Sequence, residues 1–257
     1  MPDRPFSTAL PPVDWLDEVG STNDEAHRRA AAGTRGPLWI AARRQTAGKG
    51  RSGRAWIEAG EGNVAATLLF RPGCAPARLP ELSLLAGVAT YEAVAEALAG
   101  RGAGRIELKW PNDVLIDGAK VSGILIESGT YGGELLSLIG IGINVASAPD
   151  VSDRAVTCLA ALGSPLAADA VLDLLVARMA QWLSVWEAPD GFAAIRAAWA
   201  ARAIPLGRPL EIKTHEGPVS GAFAGLDHDG ALLIDLPDTG RRRFTFGDVT
   251  ALSARSA

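Results

Sequence analysis

Long apolar runs are missing from this sequence. No stretch approaches the roughly 20 residues that a helix needs to cross a bilayer, and much of the 48% hydrophobic share is alanine. A membrane-spanning helix is therefore not expected. Cysteine is scarce, and Cys74 and Cys158 alone can build neither a disulfide framework nor a metal cluster. An excess of basic charge is missing too. Lys and Arg total 25 against 29 Asp and Glu, a net charge of -4, whereas general nucleic-acid binders are usually basic. The opening stretch "MPDRPFSTALPPVDW" holds prolines and an early acid where a signal peptide would be apolar. The default compartment is the cytosol, with neither membrane nor nucleic acid as an expected partner. There is no internal repeat.

What is present is the composition of an ordinary globular protein: 257 residues, 21% of them charged, enough for one sizeable core and a small second unit. "STNDEAHRRAAAG" reads as a helix that Ser21 or Thr22 can cap, each with an acid three residues on (Asp24, Glu25), and that Gly33 can end. "PLWIAAR" and "NVAATLLF" are strands on either side of a loop, and "LPELSLLAGVATYEAVAEAL" has helical spacing up to Gly100. "RIELKW" is a short strand. "DVLIDGAKVSGILIE" is a hairpin about Asp117-Gly118. The unbroken apolar run "ELLSLIGIGINV" predicts a central strand buried on both faces. Leu166 to Arg202 is helical and rich in tryptophan. After Pro205, Gly207 and Pro209 come short strands, "LEIKT", "GPVSGAFAGL", "ALLIDL" and "RRRFTFGDV", the pattern of a small β-barrel. Two units follow, 1–205 and 206–257.

The loop between the first two strands contains "QTAGKGRSGR". Arg43, Arg44, Lys49, Arg51 and Arg54 fall here with no acid among them, and Gly48, Gly50 and Gly53 are threaded through. Solubility alone favours mixed signs; glycines let a backbone approach a ligand closely, and a one-signed loop suits a small anion. The glycines match G-x-G-x-x-G, but "RAWIEAGEGNV" follows, with Gly60 and Gly62 where a dinucleotide site needs a helix. A P-loop fails because Gly50 follows Lys49 where Ser or Thr is required. A kinase glycine loop lacks its H-R-D and D-F-G partners.

"GSTN" (Gly20 to Asn23), "GKGRSGRAW" (Gly48 to Trp56), "KWPNDV" (Lys109 to Val114), "KVSGILIE" (Lys120 to Glu127) and "GIGINV" (Gly140 to Val145) occur in the order and spacing of the biotin protein ligases. The chain resembles that family over nearly its whole length. The resemblance implies an α+β fold, a mixed β-sheet backed by helices of the class II synthetase type, followed by an SH3-like barrel. It implies an enzyme that uses ATP and Mg²⁺ to activate biotin as biotinyl-AMP and passes it to a lysine of a biotin carboxyl carrier domain. Some members carry an N-terminal DNA-binding domain; 19 residues precede "GSTN" here, so a ligase without that role is expected. Lys49 stands where the family's loop usually has arginine, which keeps the charge but not the planar fork.

By the same resemblance, Lys120, Arg51 and Asp113 are the catalytic candidates. Biotin or its adenylate would meet Ser21, Thr22, Asn23, Gln45, Lys49, Gly50, Arg51, Lys120 and Gly123. The nucleotide end falls to Arg54, Trp56, Asn112 and Asn144. No metal ligand is assigned, magnesium being held mainly through phosphates, and Asp113 is read as the base for the acceptor lysine or as a magnesium holder. Trp56 either stacks on the adenine or anchors the loop hinge. The chemistry wants such residues. A free carboxylate is a poor acyl donor, and cations offset the repulsion between it and a triphosphate where charge grows in the transition state. A mobile loop would close over the intermediate and exclude water. Lipoate or octanoate ligases and transferases of the same fold, and a non-enzymatic vitamin-binding module, are the alternatives. A homodimer is neither required nor forbidden.

Overall fold

A computed structural model describes residues 10–251 apart from residues 103, 153, 215 and 216. Most of the N-terminal stretch read above for a signal peptide, and the end of the C-terminal unit, lie outside these residues.

Seven strands build the larger sheet: β1 (Val13–Val19), β2 (Leu38–Gln45), β3 (Val64–Phe70), β4 (Ile106–Lys109), β5 (Asp113–Ile116), β6 (Ala119–Tyr131) and β7 (Glu134–Ile143). Their order is β1-β2-β3-β7-β6-β5-β4. The apolar β7 takes the central place that its sequence predicts. β1 pairs parallel to β2 and the other pairs are antiparallel, so the sheet is mixed. β1 is an addition to the expected elements. Its three acids in "VDWLDEV" break the alternation that marks a strand, and its ladder to β2 makes it one. Asp117 and Gly118 take φ of 49 and 80, the primed turn expected between β5 and β6.

Alternation along the strands sorts the two faces. On β3, Val64, Ala66, Leu68 and Phe70 join the main core with α2 (Glu81–Ala97), α3 (Ala168–Glu187) and α4 (Gly191–Ala200). Leu69 faces the other way and packs with Ala26 and Ala30 of α1 (Thr22–Ala31). Each such side chain contributes about 1.5–3 kcal/mol through burial. Gly33, with φ of 104, follows the last turn of α1. Ser21 takes the N-cap position, yet its side chain makes no capping hydrogen bond; the residue lines the cavity described below.

The C-terminal unit is an antiparallel sheet of β8 (Pro209–Thr214), β9 (Gly217–Leu226), β10 (Leu232–Leu236), β11 (Gly240–Phe244) and β12 (Asp248–Ala251), ordered β11-β10-β9-β8-β12. The run "RRRFTFGDV" is two strands rather than one. The chain turns at Gly247, φ 139, and β12 pairs with β8, an arrangement consistent with an SH3-like unit. Trp110 Nε1 donates to the Gly230 carbonyl at 3.2 Å and Lys109 Nζ to the Val249 carbonyl at 3.0 Å, so the small unit grips β4 and the turn after it.

The glycine loop is folded back on itself. Lys49 pairs with Ala55, Trp56 N donates to Gly48 O at 2.9 Å and Gly50 N to Arg54 O at 2.8 Å. A single 3-10 turn, Arg51–Gly53, forms the tip. No helix follows before β3, whereas the rejected dinucleotide motif requires one.

Candidate active site

One register line crosses the sheet: Ala65 on β3 pairs with Gly142 on β7, Gly142 with Gly123 on β6, Gly123 with Asp113 on β5, and Asp113 with Lys109 on β4. Paired residues share a face, and all five line a cavity of about 640 Å³. Its floor is therefore bare in the middle and charged at one end. Volume and shape suit a small molecule.

The Trp56 ring lies on the bare patch. A Cβ at Gly142 would stand 2.4 Å from its Cε2, and one at Gly123 would stand 2.9 Å from Cζ3. Lys120 Nζ sits 5.7 Å from the ring centroid. Two residues along β7, Gly140 gives the same room to Asn23, whose Oδ1 would lie 2.1 Å from a Cβ there. Asn23 is held from below by the Thr67 hydroxyl, which donates to its Oδ1 at 2.6 Å, and its amide donates to Glu127 at 2.7 Å. Thr22 N donates to Gln45 Oε1 at 2.8 Å. The start of α1 is thus locked to the sheet through polar side chains.

At the charged end, Asp113 is nearly buried. Lys120 Nζ lies 2.5 Å from its Oδ1 and Lys109 Nζ lies 2.7 Å from its Oδ2. Burial pushes the Asp113 pKa up, but the two ammonium groups outweigh it and bring the value to about 2. Burial pulls the Lys120 pKa below its ordinary value, with Asp113 opposing and Lys109 adding to the shift. Burial likewise lowers Arg51, against the pull of Asp248 and Asp113. Seven basic side chains line the cavity, Lys49, Arg51, Arg54, Lys109, Lys120, Arg154 and Lys213, against two carboxylates, Asp113 and Asp248. On a chain of net charge -4 this is a local field that attracts an anion.

The residues singled out from sequence largely come together. Ser21, Thr22, Asn23, Gln45, Lys49, Gly50, Arg51, Arg54, Trp56, Asn112, Asp113, Lys120 and Gly123 all line this cavity. Asn112 fastens the turn, donating to Ile124 O at 2.7 Å, and Arg51 Nη1 reaches its Oδ1 at 3.4 Å. Asn144 stands apart. It lines a small adjoining recess and donates to Thr157 O at 3.1 Å. Arg43 and Arg44 point elsewhere, to Asp169 and Glu18.

The loop has no acid of its own, but the fold supplies some. Lys49 pairs with Asp24 of α1 at 2.5 Å, and Arg54 with Asp248 of β12 at 2.7 Å. Four charged lining residues escaped the sequence reading. Lys109 opens the "KWPNDV" motif, so its signal was present; Arg154, Lys213 and Asp248 reach the cavity only through tertiary structure.

A mixed sheet with a bare-floored, cation-lined cavity, roofed by a glycine loop and flanked by a small β unit, defines a ligase of the carboxylate-activating kind. The comparisons are specific within that class. Residues 18–145 match the Biotin/lipoate A/B protein ligase family and residues 206–250 match the Biotin protein ligase C terminal domain. The chain is 40% identical over 229 residues to a biotin–[acetyl-CoA-carboxylase] ligase of Paracoccus denitrificans, covering 86% of this chain and 93% of that one. It superposes on a biotin protein ligase from Aquifex aeolicus, solved in complex with biotin and ATP, with a TM-score of 0.79, 28% identity and coverage of 93% and 99%. A Leishmania major biotin protein ligase in complex with biotinyl-5-AMP gives a TM-score of 0.64 at 28% identity, covering 96% and 100%. The chain belongs to the biotin protein ligase family.

Proposed function

We propose that this protein is an ATP-dependent ligase that joins biotin to AMP and then transfers the biotinyl group to a lysine of a biotin carboxyl carrier protein. The observation that carries this reading is the convergence of Lys120, Arg51 and the glycine pair Gly123–Gly142 in one cavity, in a chain so similar to ligases that hold biotin, ATP or the adenylate.

In the first step a biotin carboxylate oxygen attacks the α-phosphorus of ATP and diphosphate leaves. The cationic wall offsets the approach of two anions and the charge that grows on the phosphoryl oxygens. Lys120 is the best-placed contributor. It sits on a strand, is largely buried, and is held in one position by Asp113. Asp113, ionised down to about pH 2, is a weak proton acceptor in this state and acts here as the anchor of Lys120 and Lys109. In the second step the acceptor amine attacks the acyl carbon, the amide forms, AMP departs with the bridging oxygen, and one proton is released.

Both Asp113 oxygens are engaged by lysines and Asp248 Oδ1 is engaged by Arg54. Asp113 is thus already neutralised, and Asp248 by itself is no oxygen cage for a cation. Magnesium fits this site as an ion carried on the triphosphate, where it supplies charge neutralisation.

The test is exchange of labelled diphosphate into ATP, with biotin or lipoate as the acid. Biotin-dependent exchange with a lipoate signal at background supports the reading. Exchange driven by lipoate alone would replace the substrate, and no exchange with either acid would remove the enzyme.

A further inference from the structure

Gln45 closes β2 at the cavity, and its side chain is gripped on several sides. Its Oε1 accepts from Thr22 N at 2.8 Å and lies 3.2 Å from the Thr22 hydroxyl. Its Nε2 donates to Glu58 Oε1 at 3.0 Å, and its backbone N donates to Glu58 Oε2, also at 3.0 Å. Gly48 presses on the same amide: a Cβ there would stand 3.1 Å from Gln45 Nε2 and 2.6 Å from the Trp56 carbonyl. Glu58 does not line the cavity. It lies two residues beyond Trp56, where the chain leaves the folded loop, and so ties the exit of that loop to the end of β2.

An ionised carboxylate can only accept hydrogen bonds. Held between the Glu58 carboxylate and the Thr22 N–H, which can only donate, the Gln45 amide has one stable orientation: nitrogen to the carboxylate, oxygen to Thr22. An amide without such neighbours can present either end, since its two orientations differ only in their partners; of the two, Glu58 is the side chain that a substitution can change. We infer that Glu58 is a positioning residue that fixes Gln45 as a hydrogen-bond acceptor and thereby selects, at that point of the cavity, a ligand ring that carries an N–H. The inference rests on the reading of the cavity as the biotin site. A cyclic urea has two N–H groups to offer; a dithiolane ring has none, and would leave the Gln45 oxygen dependent on Thr22 alone. A site built to pair a ligand N–H rejects an analogue that lacks it far more strongly than an apolar pocket does.

The experiment is a double-mutant cycle on the full chain, reading KM for biotin and KM for ATP in diphosphate exchange, with the melting temperature of each variant. Glu58→Gln keeps the size but gives position 58 a donor, which removes the carboxylate's hold on the Gln45 nitrogen and leaves Thr22 alone to orient the amide. Loss of a charge-assisted pair predicts a KM for biotin raised about tenfold in Glu58→Gln. The KM for ATP stays within about twofold and the melting temperature within about 2 °C, as befits a half-exposed site. In the Gln45→Ala background the same substitution adds less than about twofold, because its only route to the ligand is gone.

A biotin KM unchanged in Glu58→Gln overturns the inference, as does a tenfold effect that persists without Gln45. A variant that fails to fold, or that raises both KM values together, also overturns it by making Glu58 structural. A wild-type protein without biotin-dependent exchange defeats the functional reading itself, a result separate from any of these.

Discussion

Lys120 Nζ stands 2.5 Å from Asp113 Oδ1, seven positions away in sequence and on the neighbouring strand. The tight turn at Asp117 and Gly118 brings them together, with a bulge between Val114 and Leu115 that shifts the register. Both members are largely buried. The pair places a strand-held ammonium group in the same cavity as the cations of the loop.

Replacing Lys120 by Gln removes that charge while keeping most of the volume. By analogy with the loss of one preorganised electrostatic contact, diphosphate exchange should fall on the order of 10²–10³-fold in kcat. Lys109 still neutralises Asp113, so the variant remains folded. Exchange kinetics beside a melting curve measure both. An active variant would move the burden to Arg51.

Asp113 also makes stability depend on acid. Its folded pKa of about 2 lies below the ordinary 3.8. A depressed carboxylate contributes stability that is complete above the unfolded value and is lost as pH falls from about 4 through about 2. The shift corresponds to something on the order of 2 kcal/mol. Melting temperatures between pH 6 and pH 2 should show that loss in the wild type and not in Asp113→Asn. The asparagine variant should be less stable at neutral pH, since Lys109 and Lys120 then face each other without a counter-charge.

The bare floor can be tested one carbon at a time. Gly140→Ala would put a Cβ 2.1 Å from Asn23 Oδ1, a buried side chain pinned by Thr67 and Glu127. Overpacking of this kind costs about 1–3 kcal/mol, so thermal stability should drop. For Gly142→Ala the nearest atoms all belong to the Trp56 ring, which follows the glycine loop and would shift with it. This substitution should spare stability and raise the KM for biotin. Equal melting losses in the two variants would contradict the division between a side chain pinned to the sheet and one carried by the loop.

How much of this was legible beforehand follows from where the causes lie. The β5–β6 hairpin is written locally, in an Asp-Gly pair between apolar runs, and the central β7 in an unbroken apolar stretch. β1 is not, because its ladder to β2 lies 26 positions further along the chain. The loop's cations can be read from spacing. Their counter-charges cannot, since Asp24 and Asp248 lie 25 and 194 positions from the lysine and arginine they meet. Glu58 is close in sequence to the loop and still gives no signal, as only the folded-back backbone turns it onto Gln45.

Those counter-charges make the last prediction, which concerns the loop and the lysine that stands in place of the family's arginine. Lys49 is about half exposed and paired with Asp24, equally exposed; Arg54 is likewise exposed and paired with Asp248. Such surface pairs are worth about 0–1 kcal/mol each, too little to hold a loop shut but enough to bias it. An incoming polyphosphate competes with both carboxylates for the same cations. Trypsin should therefore cut after Lys49, Arg51 or Arg54 in the ligand-free protein, more readily in Asp248→Ala, and much more slowly with biotin, ATP and magnesium present. Lys49→Arg keeps the charge and can still reach Asp24, so its cleavage pattern and exchange rate should stay close to wild type. Lys49→Ala removes a lining cation and leaves its partner Asp24 unpaired, which weakens the attraction for the nucleotide and should raise the KM for ATP. If Lys49→Arg instead raised the exchange rate severalfold, the planar fork would matter at this position more than its charge, and the pair with Asp24 would be a resting contact that the lysine holds too weakly to exploit.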